Sequence, residues 1–203
     1  MRRAFAAAAA LALGACAAEE PAVQTVSTTT AYQHVPSGAI FPTRVGPFVR
    51  TNIYPGRAGS QGVIVGYAQM TPSGPMMITV TLEESPPRTQ EAAVIDSSCR
   101  EVYARRKDDI AKSNTAVKWL DERDTSVTLA GDSQPVQLVS FDYDFRGTAM
   151  RGYLFVACHI AGSWTLQYRV TTPRDPEVGE AIAGFIAALP PTPLHRASVA
   201  DTP

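Results

Sequence analysis

The segment GYLFVACHIAG, residues 152–162, decides how the protein folds, because it places a cysteine within a regularly patterned strand. Apolar side chains alternate with other residues along it, which predicts a β-strand with one buried face. The residues predicted to share that face are Leu154, Val156, Cys158 and Ile160. By the same alternation His159 falls on the opposite face, beside Tyr153 and Phe155. Cys158 is therefore predicted to point into the core, where a second cysteine could meet it.

A helix predicted over residues 89–112 carries that second cysteine. Apolar residues recur there at intervals of three or four positions, as on the buried face of an amphipathic helix. They are Ala92, Ile95, Cys99, Val102, Tyr103 and Ile110. In an exported protein we expect a disulfide between Cys99 and Cys158, which would fasten the helix to the sheet and contribute about 4 kcal/mol to stability. The alternative is a pair of buried free thiols.

The third cysteine, Cys16, bears on export, because it ends a short apolar run near the amino terminus. Arg2 and Arg3 precede an uncharged stretch, residues 4–13, that is too short to span a bilayer, which needs about 20 apolar residues. Such a segment is typical of an export signal. Residues 13–16, LGAC, also resemble the lipobox of bacterial lipoproteins, in which a branched apolar residue and two small residues precede an obligatory cysteine.

The lipobox resemblance implies a signal peptide, residues 1–15, that is removed before Cys16, and a lipid group on the Cys16 thiol. Two or three acyl chains hold a protein stably on a membrane, whereas one chain holds it only marginally. Ala17 follows the cysteine where, in the family pattern, an aspartate favours retention at the inner membrane. We therefore expect an anchor in the outer membrane, facing the periplasm. The alternative is an ordinary cleavage site at which Cys16 is incidental.

The chain divides into one domain between two segments without periodicity. Residues 16–40, rich in Thr, Ser, Ala and Pro, are predicted to form the lipidated cysteine and a flexible tether, and residues 191–203 a disordered tail. Residues 41–190 are predicted to form a single domain with one core. The formal net charge is −1 and no basic stripe is present, so nucleic acid is not expected as a partner.

The order of predicted elements in the domain indicates an α+β fold. Three strands precede the first helix, a meander of strands follows it, and a second helix begins at the sequence DPE, residues 175–177. Because strands and helices are segregated along the chain, we expect a curved antiparallel sheet of about six to seven strands flanked by two main helices.

Two segments of the domain resemble the PsbP-like fold and a group of uncharacterised exported bacterial domains. They are FPTRVGPFVR, residues 41–50, and WTLQYRVTTP, residues 164–173. The resemblance covers residues 41–190 and rests on strand and turn signatures. It implies a small accessory or binding module without a catalytic motif or cofactor.

Each of these segments carries an arginine that could serve a binding site. Arg50 and Arg169 could meet across the sheet or contact an acidic ligand. The favoured alternative is that they cap local structure or pair with a local carboxylate. Asp142 and Asp144 share a strand face about 6.5–7 Å apart, a spacing at which two carboxylates can help to hold a hard cation. The favoured alternative is a solvated polar face, so no metal site is predicted.

Two functions from different classes fit the sequence. The first is a non-catalytic module, anchored to the membrane by lipid, that binds a partner protein of the cell envelope. The second is an envelope hydrolase built on His159, with Asp142 or Asp144 as its carboxylate, because His34 and His195 fall in the predicted tether and tail. The second function requires His159 to lie in a cleft, with a carboxylate or hydroxyl within hydrogen-bond reach.

Overall fold

The structure, a computed structural model, describes residues 29–56, 59–88, 95–129, 132–174, 179–189 and 194. In these residues the fold is α+β, as predicted, with two helices and an open eight-stranded sheet whose strand pairs are antiparallel. A separate two-stranded hairpin precedes the sheet.

The elements in chain order are β1 Tyr32–Gln33, β2 Ile40–Phe41, β3 Arg44–Val45, β4 Phe48–Pro55, β5 Val63–Thr71, β6 Gly74–Glu84, α1 Ser97–Ser113, β7 Thr115–Leu129, β8 Asp132–Phe145, β9 Thr148–Ile160, β10 Trp164–Pro173 and α2 Gly179–Ala188. In the sheet the strands lie in the order β3-β4-β5-β6-β10-β9-β8-β7. The sheet is larger than expected because the short strand β3 extends one edge.

Strand β10 lies between β6 and β9, so it joins the strands before α1 to the strands after it. A central strand is covered on both faces, and β10 is correspondingly the most continuously buried strand. Trp164, at its start, is fully buried. The helix α1 connects β6 to β7 by crossing one face of the sheet, which we call the α1 face.

The opposite face, which we call the α2 face, carries the larger core. Leu166, Tyr168 and Val170 of β10 belong to it. Phe185 of α2 packs edge-on against Phe48 and Tyr67, with ring centroids 5.0 and 5.1 Å apart. Edge-on aromatic contacts of this kind add to the burial of apolar surface, so they hold α2 against β4 and β5.

The α1 face carries a second core, in which Cys99 and Cys158 meet. Their Cα atoms are 5.8 Å apart, within the range of about 4.4–6.8 Å that a disulfide requires, and their sulfur atoms lie at bonding distance. The predicted pairing is therefore confirmed in its geometry. The helix itself begins at Ser97, with Asp96 as its N-cap, and residues 89–94 of the predicted helix lie outside the described residues.

One part of the predicted strand pattern is wrong, because β9 bulges at its end. The register between β9 and β10 shifts between Leu166 and Trp164, and His159 adopts a left-handed backbone with φ of 58°. A bulge inserts one residue and so reverses the alternation beyond it. Ile160 consequently joins the core of the α2 face, while Cys158 remains in the core of the α1 face.

The domain also begins before residue 41, because residues 29–40 of the predicted tether pack against it. Tyr32 pairs with Phe41, and Ser37 is fully buried. The buried Arg50 donates hydrogen bonds to the carbonyl oxygens of Thr30 and Phe41. Small polar residues predicted a solvated segment, but they pack tightly once their polar groups find partners within the protein.

His34 and Leu194, both predicted to lie outside the domain, are also buried in the structure. The ring of His34 packs edge-on against Trp164, with centroids 5.7 Å apart, and its Nδ1 atom lies 2.7 Å from the Ser37 hydroxyl. Leu194, in the predicted tail, is 8% exposed and belongs to the core of the α2 face.

We expect Arg50→Ala to lower the free energy of unfolding by roughly 3 kcal/mol, because two carbonyl groups lose a charged donor. Arg50→Lys keeps the charge but cannot reach both carbonyls with a planar fork, so it should lose less. Urea unfolding measures both variants. An unchanged midpoint for Arg50→Ala would contradict the anchoring of residues 29–41.

We expect the double variant Cys99→Ala with Cys158→Ala to unfold with a free energy about 4 kcal/mol lower than the oxidised parent protein. Both proteins carry Cys16→Ser, so that the parent contains only Cys99 and Cys158 and the double variant contains no cysteine. A reducing agent should lower the urea midpoint of the parent and leave that of the double variant unchanged. Two reactive thiols in the unfolded, unreduced parent would show that the disulfide does not form.

Candidate ligand-binding site

A cavity of about 500 Å³ opens on the α1 face, near the hairpin turns that join β5 to β6 and β8 to β9 and near the end of β10. Its apolar wall consists of Pro75, Met77, Tyr143, Phe145, Met150 and Pro173. Asn114, at the end of α1, borders it and donates a 2.7 Å hydrogen bond to the Ile110 carbonyl. The helix therefore ends at the cavity and leaves this part of the sheet uncovered.

Arg169 supplies the charge of this cavity. Strand pairing places it between Thr79 of β6 and Leu154 of β9. Its Nε atom is buried without a hydrogen-bond partner, and the described residues offer its guanidinium no ion pair. Burial lowers the pKa of Arg169, and the neighbouring Tyr143 partly opposes that shift. A guanidinium nevertheless stays protonated in proteins, so the cavity is lined by a cation that has no ion-pair partner among the described residues.

Tyr143 lies beside this cation and is itself shielded from water. Burial raises the pKa of its hydroxyl, while the charge of Arg169 and a hydrogen bond with Thr171 act in the opposite direction. At neutral pH the hydroxyl is thus protonated. It provides a neutral polar group next to the guanidinium.

Arg50 does not reach this cavity, so the prediction that the two arginines could meet across the sheet is wrong. Arg50 lies opposite Tyr67 on the neighbouring strand, Tyr67 lies opposite Ile78, and Ile78 lies opposite Val170. Residues opposite each other share a face of the sheet, and Val170 faces α2, so Arg50 faces α2 as well. Arg169 is the next residue along β10 and therefore points to the opposite face. Arg50 instead binds main-chain carbonyls near the amino terminus.

The two aspartates predicted on β8 have separate partners. Asp142 is buried and lies 2.7 Å from Nε of Arg151 and 2.8 Å from the guanidinium of Arg174. The hydrogen bond from Asp142 raises the pKa of Arg151. Asp144 accepts a 2.8 Å hydrogen bond from the amide of Gly147 in the following turn. Asp142 is therefore not part of a solvated face, and residues 29–56, 59–88, 95–129, 132–174 and 179–189 contain no group of three acidic, histidine or cysteine residues that could hold a metal.

His159 contacts a carboxylate that the sequence analysis did not single out. Its Nε2 atom lies 2.8 Å from Oδ2 of Asp96, and both side chains are 8% exposed. The bulge of β9 turns the ring away from Tyr153 and Phe155, which pack with the core of the α2 face. The sequence DSS, residues 96–98, is a typical N-cap signal, but the helix predicted from residue 89 placed Asp96 inside the helix.

This contact belongs to a closed polar cluster beside the disulfide. Asp96 accepts hydrogen bonds from the Ser98 hydroxyl at 2.6 Å and the Cys99 amide at 3.0 Å. The Ser85 hydroxyl accepts from the main-chain amide of His159 at 2.9 Å. Burial alone would raise the pKa of Asp96, but the hydrogen bonds and the contact with His159 outweigh it and hold the pKa below its ordinary value.

A second cavity of about 430 Å³ lies between α2 and strands β7 to β9 on the other face. Its lining is largely apolar and includes Val127, Leu138, Phe155, Ile182 and Ile186. Arg123 at its rim is paired with Asp121. This cavity could therefore hold an apolar group, but the charged residue at its rim already has an ion-pair partner.

The predicted anchor, Cys16, lies outside the described residues. Within the residues that the structure describes, no helix is both long and apolar enough to cross a membrane. The sequence matches no known family of proteins, and no curated protein matches it.

We expect Asp96→Asn to destabilise the protein at pH 6 and to destabilise it less at pH 3. The pKa of Asp96 is lower in the folded protein than in the unfolded chain, where it has the ordinary aspartate value of about 3.9. Ionisation of Asp96 therefore stabilises the fold fully at pH values above that ordinary pKa. That contribution is lost as the pH falls through the lower pKa of the folded state. Urea unfolding of both proteins at the two pH values measures it.

Asp96→Ala is the matched control, because asparagine can still cap α1 and alanine cannot. It should lose about 1 kcal/mol more than Asp96→Asn at pH 6. A difference between wild type and Asp96→Asn that stays constant from pH 6 to pH 3 would show that the charge of Asp96 does not stabilise the fold.

Proposed function

We propose that the protein is a non-catalytic accessory module of the bacterial cell envelope, held on a membrane by lipid on Cys16 and binding through the Arg169 cavity. The observation that carries the proposal is the pairing of Cys99 with Cys158 at disulfide geometry. Disulfides are typical of exported proteins. The pairing also leaves Cys16 as the single remaining cysteine, at the end of a sequence that resembles a lipobox.

Under this proposal the lipid fixes the location and the domain supplies the binding. Each methylene group of an acyl chain contributes about 0.8 kcal/mol to membrane binding, so two or three chains give a stable anchor. The residue after the cysteine, Ala17, favours the outer membrane, with the domain in the periplasm. Its partner would then be another component of the envelope.

Binding is favoured over hydrolysis by the different surroundings of Arg169 and His159. A general base must come within hydrogen-bond reach of the proton that it removes. His159 has a carboxylate at 2.8 Å, but both side chains are almost fully buried and neither lines the two described cavities. Arg169, in contrast, faces open space. The hydrolase alternative has the contact with Asp96 in its favour, but neither His159 nor Asp96 lines either of the two described cavities.

We also propose that the domain has a PsbP-like fold. An antiparallel sheet flanked by helices is consistent with that resemblance. The two segments that carry it, residues 41–50 and 164–173, contain the two arginines that have distinct roles here. Arg50 secures the amino-terminal segment, and Arg169 lines the cavity.

Intact-mass analysis of the protein extracted from membranes tests the anchor. We expect acyl mass on an amino terminus that begins at Cys16. The Cys16→Ser variant should carry no acyl mass and should be either soluble or unprocessed. Cys158→Ala is the matched control, because it removes a cysteine and should not change acylation. A mature wild-type protein without acyl mass would overturn the proposed anchor.

A further inference from the structure

We propose that the cavity at Arg169 binds a small amphiphilic monocarboxylate, with the carboxylate on the guanidinium and the apolar part against the methionine and aromatic wall. This inference rests on the proposed binding role and gives it a ligand class. It does not depend on the lipid anchor.

The first argument is the unsatisfied charge of Arg169. A guanidinium has five N–H donors, and a charged group that is partly shielded from water is stabilised by a partner of opposite charge. The Nε atom of Arg169 is shielded from water and has no partner, and its strand neighbours, Thr79 and Leu154, carry no charge. A carboxylate entering the cavity would supply both the counter-charge and two acceptors in the geometry that a guanidinium prefers.

The second argument is the apolar surface at the mouth of the cavity. Met77 and Phe145 are 52% and 54% exposed, although both are large and apolar. They lie on different strands and line the same opening. Apolar residues scattered singly over a surface are ordinary, whereas exposed apolar side chains that lie together at one opening are typical of binding sites. Methionine side chains adapt to the shape of a ligand, so Met77 and Met150 suit a flexible chain.

The third argument concerns size and charge number. A volume of about 500 Å³ lies in the range of about 300–1,000 Å³ that is typical of small-molecule sites. Among the described residues that line the cavity, only Arg169 is charged, and the other polar groups are neutral hydroxyls and amides. A single guanidinium matches a single negative charge, which favours a monocarboxylate over a polyphosphate.

Decanoate is a suitable probe, with decanol and decyltrimethylammonium as its uncharged and cationic counterparts. The protein is the full chain carrying Cys16→Ser, so that no acyl chain of the anchor competes. Its five methionines are labelled with ¹³C at the methyl group and observed by NMR. We expect saturable shifts of Met77 and Met150 with decanoate, and binding of the two counterparts that is weaker by about tenfold or more.

The other methionines are internal controls. Met76 is 1% exposed and points to the α2 face, so its signal should stay in place although it adjoins Met77. Met70 is 76% exposed and does not line the cavity. Met1 reports adsorption to the amino-terminal segment. Shifts confined to Met70 or Met1, or no saturable binding of decanoate, would overturn the inference.

Arginine variants test the role of the charge. Arg169→Gln should weaken decanoate binding about tenfold and make decanoate and decanol equivalent, and Arg169→Lys should retain part of the affinity. Arg123→Gln makes the same charge change at the rim of the other cavity and should leave binding unchanged. The Met76 signal reports whether each variant is folded.

Decanoate that binds Arg169→Gln as tightly as the parent would overturn the assignment to Arg169. A loss of binding in Arg123→Gln with none in Arg169→Gln would place the ligand in the α2 cavity and also overturn it. Because these measurements use the chain without lipid, their failure is distinguishable from a failure of the proposed anchor, which intact mass reports.

Discussion

The link between Cys99 and Cys158 is the constraint on which the rest of the structure depends. It joins α1 to β9 across 59 residues of sequence and so decides which part of the sheet the helix covers. Ion pairs on either side, from Arg106 to Glu83 and from Lys107 to Glu122, hold the same placement. Surface ion pairs contribute little by themselves, so the covalent link and the core around it dominate.

The charged groups near the two ends of α1 differ in whether they have partners. At its start, Asp96 accepts hydrogen bonds from Ser98 and from the Cys99 amide and lies 2.8 Å from the His159 ring, so its buried carboxylate has partners. At its end, Asn114 borders a cavity in which Arg169 has no anionic partner among the described residues. A satisfied cluster stabilises a fold, whereas an unsatisfied charge beside open space favours a ligand. Function is therefore proposed at the second end.

Much of the fold could be predicted from local patterns, and the exceptions have identifiable causes. Alternation correctly places Leu154, Val156 and Cys158 on one face, because side-chain direction in a strand is a local property. It fails at Ile160, because the bulge at His159 depends on pairing with β10. Composition fails for residues 29–40, since whether a polar segment is solvated depends on partners such as Arg50, which lies outside that segment.

The sequence by itself determined the α+β class, the approximate strands and helices, and the pairing of Cys99 with Cys158. Only the tertiary structure decided that β10 lies between β6 and β9, that Asp96 meets His159, and that Arg169 faces a cavity without a counter-ion. The physical reason is the separation in sequence between the residues that interact. Periodicity and cysteine number follow from neighbouring residues and composition, whereas the partner of a charge is set by strand order and register, which bring distant residues together.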